Sequence, residues 1–533
     1  MHPIRSALFV VFASSLAFAQ TPPPADPAAP APAPAPESAP APAPAPTPVA
    51  APPAAAPAPA ASPSAGSTFQ TLTLNKMLEK GLITQAEYDS AVKDLTESIG
   101  AAKAAGDNTN FLVGKFSTSI YGFAEGDVIY DSTQGFTDIP GAPLVARPGS
   151  YSQNNGQLQF SVRNARLGLR FRAPEYNGIR VSAQFEGDFA VTVESAGQTT
   201  AAPYNVTEGN FFTNPIFRIR HYNMKIESPV VDVLIGQTWH LFGWQGDYMP
   251  NTVQPQGVPG ELYSRTPQVR LSKSFKGDAL TFDAAVAAMR PTQRASSVPD
   301  GEAGVHLALN KWTGIQTVGA TGGGVAPLSF ALTGVVRQFN VPEFNANPVN
   351  TNRLTTPGFA FDAFIPVIPG DKDNKGNSLS LLGEVATGAS ITDMYTSMAS
   401  GVSFPNLPTP PGATTAPTYN PLTDPGYVTY DAQGFLHPVE WNTYRIGAQY
   451  YFPGVDGKIW ASFNYSYVIS PNAYLYGTAS KTLSLLDFVD GNIMGDLTPS
   501  IRLGIEYCHY ATHYADGVVA NDHRVYASGF FLF

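Results

Sequence analysis

The sequence predicts an all-β protein, a transmembrane antiparallel β-barrel of about 16 strands with a short helical N-terminal extension. Three observations carry that prediction. From about residue 116 apolar and polar residues alternate at period two, in runs of about ten residues that suit a tilted membrane strand. Charged residues make up only 14% of the chain while aromatics reach 11%, a sparse charge content for a soluble domain. The chain ends at Phe533, directly after the strand pattern VYASGFFLF.

The composition also excludes classes. A hydrophobic fraction of 43% is too low for a bundle of membrane helices, and mean hydropathy is close to zero. Net charge is −10 and no basic patch stands out, so no nucleic-acid partner is expected. The single cysteine, Cys508, excludes an intrachain disulfide and has no ligand cluster near it in sequence. No GxSxG or HExxH pattern occurs, so no catalytic residue, metal or cofactor is expected. His509 and His513 share a strand face but lie about 13 Å apart, too far for one metal.

Residues 1–19 read as a signal peptide. Arg5 gives the positive region, ALFVVFASSLAF (7–18) the apolar core, and Ala17-Phe18-Ala19 the cleavage site before Gln20. Residues 20–66 are almost wholly Pro and Ala, with only Asp26 and Glu37 charged. Such a stretch predicts an extended periplasmic linker, either passive or in contact with peptidoglycan. Residues 67–106 predict two helices. Gly81 stops the first, and Thr84 with Glu87 opens the second as a capping box. Tyr88, Val92, Leu95 and Ile99 then recur at coiled-coil spacing. They form an oligomerisation seam, or one amphipathic helix packs on its neighbour.

The barrel is expected over 112–533. In RNARLGLRFR (163–172), Ala165, Leu167, Leu169 and Phe171 oppose Asn164, Arg166, Arg170 and Arg172. In 179–188, Ile179, Val181, Ala183 and Phe185 oppose Arg180, Ser182, Gln184 and Glu186. Strands are expected to begin near residues 116, 157, 179, 214, 230, 264, 279, 302, 327, 353, 378, 440, 457, 481, 499 and 523. Alternate links are short, as in APEYNG (173–178) and KGD (276–278). Two supposedly short links, 313–326 and 366–377, come out long, which leaves 14 or 18 strands open.

About 16 strands enclose a water-filled lumen, so function is expected on the inward face. Arg166, Arg170, Arg172 and Arg180 fall on that face of strands 2 and 3, and Arg218 and Arg220 on strand 4. Guanidinium groups stay charged and bind carboxylate or phosphate with paired hydrogen bonds. A pore lined this way favours anions. The alternative is a structural ion-pair network, because Glu186 and Asp188 lie on strand 3 itself. The third outer link, LFGWQGDYMPNTVQPQGVPGELY (241–263), is the expected constriction loop, with Asp247 and Glu261 facing the arginines across an eyelet. The alternative is an ordinary exposed loop. The sixth, 390–439, is the longest and reads as a lid, a partner site or variable surface.

Five segments resemble the DcaP-like trimeric outer-membrane porin family: FSVRNARLGLRF (160–171), FEGDF (185–189), FRIRHYNMKI (217–226), LIGQTWHLFG (234–243) and YSRTPQVRLS (263–272). That resemblance implies a 16-stranded homotrimer in the bacterial outer membrane, surrounded by outer-membrane lipid, with its N-terminal extension in the periplasm. It implies passive diffusion of small anionic, dicarboxylate-like solutes past Arg166, Arg170, Arg218 and Arg220, and a trimeric coiled coil for the helical seam. A phosphate- or sugar-selective porin, and a tethering or adhesive barrel with a blocked pore, remain the alternative readings.

Overall fold

The structure, a computed structural model, describes residues 74–81, 83–93, 110–113, 116–134, 138, 145–190, 216–254, 257–293, 296–321, 323–396, 398 and 400–533. The signal peptide, the Pro/Ala linker, Leu95 and Ile99 lie outside the described residues. Residues 74–79 and 85–93 are helical, and Tyr88 and Val92 fall in the second segment. Gly81 adopts φ 65° at the break. The capping box is formed: Thr84 N donates to Glu87 Oε2 at 2.8 Å, and Glu87 N to Thr84 Oγ1 at 3.2 Å.

The sheet closes into a barrel of 16 strands, labelled here β1–β16. The first eight are β1 (Phe116–Asp131), β2 (Gln157–Ser161 and Arg166–Arg172), β3 (Arg180–Asp188), β4 (Arg218–Glu227), β5 (Asp232–Trp239), β6 (Arg265–Lys276), β7 (Leu280–Met289) and β8 (Asp300–Thr317). The remainder are β9 (Gly323–Pro342), β10 (Thr351–Ile368), β11 (Leu379–Ala389), β12 (Glu440–Tyr451), β13 (Ile459–Ile469), β14 (Leu483–Thr498), β15 (Ile501–Tyr514) and β16 (Val519–Leu532). Both pieces of β2 pair with β1, and a short piece, Asn110–Val113, pairs with the start of β1. Each strand is antiparallel to the next in sequence, and β1 closes on β16 from Phe123↔Leu532 to Asp131↔Arg524. Phe533 adds a reciprocal pair of backbone hydrogen bonds with Gly122, at 2.9 and 3.1 Å. No edge is left between the first and last strands.

The faces are inverted relative to a soluble protein. Leu158, Phe160, Val162, Leu167, Tyr222, Leu332, Phe359 and Ile505 point outward and are exposed, while Asp127, Glu186, Asp362, Arg445, Asp490 and Glu506 are buried inside. Such a surface requires an apolar solvent outside.

Links at one end are mostly long, L1 (132–156), L2 (189–217), L3 (240–264), L4 (290–299), L5 (343–350), L6 (390–439) and L7 (470–482), with L8 (515–518) a tight turn. Those at the other end are mostly short, among them 228–231, 277–279 and 318–322, while the link 369–378 is long, as the sequence reading of 366–377 has it. The expected long link at 313–326 is corrected. A register shift between Leu309 and Thr313 carries β8 on to Thr317, leaving only 318–322 as the turn. A bulge breaks the period-two signal without ending the strand.

Candidate functional site

L3 folds into the lumen. Leu241, Phe242, Tyr248, Val253, Val258 and Leu262 are buried, as are its polar Asn251, Thr252 and Gln254. A loop buried this way must find partners for its backbone groups, and the barrel wall supplies them. At its start, Glu302 of β8 accepts from Leu241 N at 2.7 Å and Phe242 N at 3.1 Å, and Thr333 of β9 accepts from Gly243 N at 2.8 Å. In the middle, Asn251 Nδ2 donates to Ser462 Oγ on β13 at 2.7 Å, and its carbonyl accepts from Asn464 Nδ2 at 3.0 Å. Further along, Val253 N donates to Glu506 on β15, and Gln254 Nε2 donates to Asp127 on β1 at 3.0 Å. At its end, Leu262 N donates to Glu384 of β11 at 3.2 Å. The loop therefore crosses the lumen from wall to wall. It draws on four carboxylates, on β8, β15, β1 and β11, to hold its backbone and side-chain donors.

The start of L6 also turns inward and runs against the end of L3. Leu262 and Tyr395 form an antiparallel bridge. Tyr263 N donates to Met394 O at 2.8 Å and Thr396 N to Glu261 O at 2.9 Å. Arg337 of β9 fixes this stretch from the wall, bonding Asp393 at 2.6 and 3.0 Å and the Ser390 carbonyl at 2.6 Å.

The basic wall lies on β2, β4 and β6. Arg218 grips Asp188 through two bonds, at 2.8 and 2.7 Å. Arg220 is buried and bonds Glu186 and Asp188, each at 2.8 Å, and the Tyr263 hydroxyl of L3 at 3.0 Å. Arg166 approaches Glu186 only to 3.5 Å and lies 5.1 Å from the centroid of Phe123. Arg170 lies over the Tyr121 ring at 3.9 Å. That ring spans the wall because β2 carries Gly168 opposite: a Cβ there would meet it at 2.2 Å. Tyr121 in turn donates to Glu186 at 2.9 Å and accepts from Gln184 at 2.7 Å.

Three expected site residues sit differently from the sequence reading. The Arg180 side chain is 64% exposed beside the short turns, 3.7 Å from Glu227, so it does not face L3. Arg172, the last residue of β2, is likewise exposed at that end. Glu261 does not face the arginines. It is buried beneath L3 and accepts Val258 N at 3.1 Å, with Gly257 at φ 78° leaving room for its carboxylate. Asp247 is the L3 acid that is exposed to the lumen.

Two groups absent from the sequence reading complete the wall. Arg265 lies over Trp239 at 4.5 Å and over Tyr263 at 5.1 Å. Arg270 bonds Gln268 Oε1 at 3.0 Å and the Trp239 carbonyl at 2.5 Å. Both occur in YSRTPQVRLS, but a lone arginine on a strand gives no signal of what it faces. Close to Tyr263 lie Arg166, Arg220 and Arg265; Arg166 and Arg220 pair with Glu186, and Arg220 also with Asp188. Burial opposes ionisation of the Tyr263 phenol, yet the Arg220, Arg265 and Arg166 charges hold it below its usual range.

Among the described residues no group of three or more His, Cys, Asp and Glu side chains is arranged to hold a metal ion. His509 is stacked instead on its cross-strand neighbour His523, with ring centroids 4.8 Å apart.

Fold and site together define a porin-type barrel, a closed 16-stranded sheet with its third long loop folded into the lumen. In fold the chain is similar to the outer-membrane channel DcaP of Acinetobacter baumannii, with 18% identity over 80% of this chain and 100% of that one, at a TM-score of 0.56. It also matches an anion-selective porin from Comamonas acidovorans (10% identity, 78% and 100% covered, TM-score 0.43) and OmpF of Salmonella typhi (10%, 80% and 100%, 0.45). No protein-family model and no curated protein sequence matches the chain.

Proposed function

We propose that this chain is an outer-membrane porin that passes small anionic solutes by diffusion between L3 and the β2–β4–β6 wall. One observation carries the reading: the division of labour among lumen charges. The acids of β1, β8, β11 and β15 are engaged in holding L3. On the facing wall Arg166, Arg218 and Arg220, three guanidinium groups, pair with two carboxylates, Glu186 and Asp188. A surplus of fixed positive charge inside a low-dielectric tube concentrates anions. The fold shared with an outer-membrane channel supports the location and the mode of action. In that setting the long loops face outward and the helical extension lies in the periplasm.

Assembly as a homotrimer belongs to the same proposal, with the helical face of Tyr88 and Val92 as a contact between copies. The test of selectivity is the reversal potential of the purified protein in a planar bilayer under a salt gradient. The test of assembly is cross-linking in detergent, where Val92→Asp should reduce the trimer band.

A further inference from the structure

The floor of the L3–L6 junction is a buried cluster of acids with too few partners. Asp362 of β10, Glu384 of β11 and Arg445 of β12 are directly opposite one another across the sheet, on the lumen face. Glu261 of L3 lies over them, near both Arg445 and Glu384. Tyr395 of L6, near Glu384, and Thr443 of β12 close the cluster. All six side chains are more than nine-tenths buried, with Asp362 at 0% and Glu261 at 1% exposure. Arg445 approaches Glu384 at 3.4 Å and donates to the Tyr248 carbonyl at 2.9 Å. Apart from a carboxyl-to-carboxyl contact with Glu384, neither oxygen of Asp362 has a hydrogen-bond partner. Fully ionised, the cluster holds three negative charges against one positive, a net of −2. Unpaired buried charge at that level is expensive.

The cluster also sits at a mechanical junction. Glu261, Leu262 and Tyr263 are L3 residues to which L6 is attached: Thr396 N bonds the Glu261 carbonyl, Leu262 bridges Tyr395, and Tyr263 N bonds the Met394 carbonyl. Leu262 N also rests on Glu384. Charge placed on the cluster therefore acts directly on the contact that keeps L6 folded onto L3.

We propose that Glu261 is the proton-sensitive latch of an L3–L6 clasp, closed while Glu261 carries its proton and loosened when it ionises. The inference rests on the porin reading above. Its sign follows from the burial. Desolvation, the largest influence, and the Glu384 charge push the Glu261 carboxyl from 4.5 up to about 8, with Arg445 opposing them. The closed form binds the proton more tightly than an opened, hydrated Glu261. Closure is therefore complete at acid pH and weakens as pH rises between about 4.5 and about 8. A shift of this size changes the closed-to-open ratio by about a thousand-fold across that window.

The experiment is single-channel conductance of the full chain in planar bilayers from pH 5 to pH 9, alongside Glu261→Gln, which keeps the shape and cannot ionise. Heat-modifiable gel migration confirms that both proteins are folded. Wild type should show conductance that rises through the window and levels off above it, and Glu261→Gln should stay at the acid-pH value throughout. A second variant pair, Leu262→Cys with Tyr395→Cys, should lose the pH response when oxidised and regain it on reduction. A conducting wild type with no pH response overturns the latch, as does an unchanged response in Glu261→Gln. Absence of conductance at every pH would instead overturn the porin reading.

Discussion

Arg220 joins the barrel wall to the constriction loop: its Nη2 donates to the Tyr263 hydroxyl at 3.0 Å while its other nitrogens hold Glu186 and Asp188. One guanidinium thus fixes two wall carboxylates and the end of L3. Tyr263→Phe deletes a single oxygen from this arrangement and leaves a buried N–H without its acceptor. The expected cost is about 1–3 kcal/mol, read as a lower midpoint in urea unfolding from detergent. Open-channel noise should increase, because the same bond anchors the loop.

Removing Arg220 itself should do more. Arg220→Met leaves Glu186 and Asp188 buried with fewer partners, and a broken buried pair costs about 3–5 kcal/mol. The same change at Arg180, whose side chain is 64% exposed, should cost about 0–1 kcal/mol. Thermal unfolding of the two variants side by side checks the contrast.

Glu302 holds the start of L3 through Leu241 N and Phe242 N and also pairs with His240 at 2.8 Å. Glu302→Ala should free that end of the loop and leave the pairs of Arg166, Arg218 and Arg220 in place. The expected outcome is a larger single-channel conductance with anion preference retained. A smaller conductance would show that L3 does not limit the pore.

The capping box at the start of the second helix is fully formed, with Thr84 and Glu87 each satisfying the other's backbone N–H. Thr84→Ala should weaken that helix by about 0.5–2 kcal/mol. Circular dichroism of the full chain should show a small helical loss at lower temperature, with the barrel transition unmoved.

The barrel was legible because its signal is local. Period-two alternation placed all 16 strands, and the first residues of β1, β2 and β12 fall at the expected 116, 157 and 440. Where alternation fails locally, the reading failed with it, as at the Leu309/Thr313 bulge. The wall arginines of β2 and β4 were legible for the same reason. What Arg265 faces was not, because its contacts with Trp239 and Tyr263 depend on how strand ends and L3 meet in space. The burial of Glu261 is not legible, because an acid in a loop carries no mark of burial. Its environment is built from Glu384 and Arg445, more than a hundred residues later in the chain. The anchoring of L3 was equally hidden, since Val253 and its partner Glu506 are 253 residues apart.

The most direct test of the account is the reversal potential of wild type and of Arg166→Ser with Arg170→Ser, measured across a planar bilayer under a salt gradient. Arg166 pairs with Glu186 at 3.5 Å, a carboxylate that Arg220 also holds at 2.8 Å, and Arg170 rests on the Tyr121 ring. With Arg220 still holding Glu186, their loss should remove positive charge from the wall without unfolding the barrel. Wild type should show anion preference, reduced or abolished in the double variant at comparable conductance. Cation preference in wild type, or an unchanged anion preference in the variant, would contradict the proposal of an anion porin.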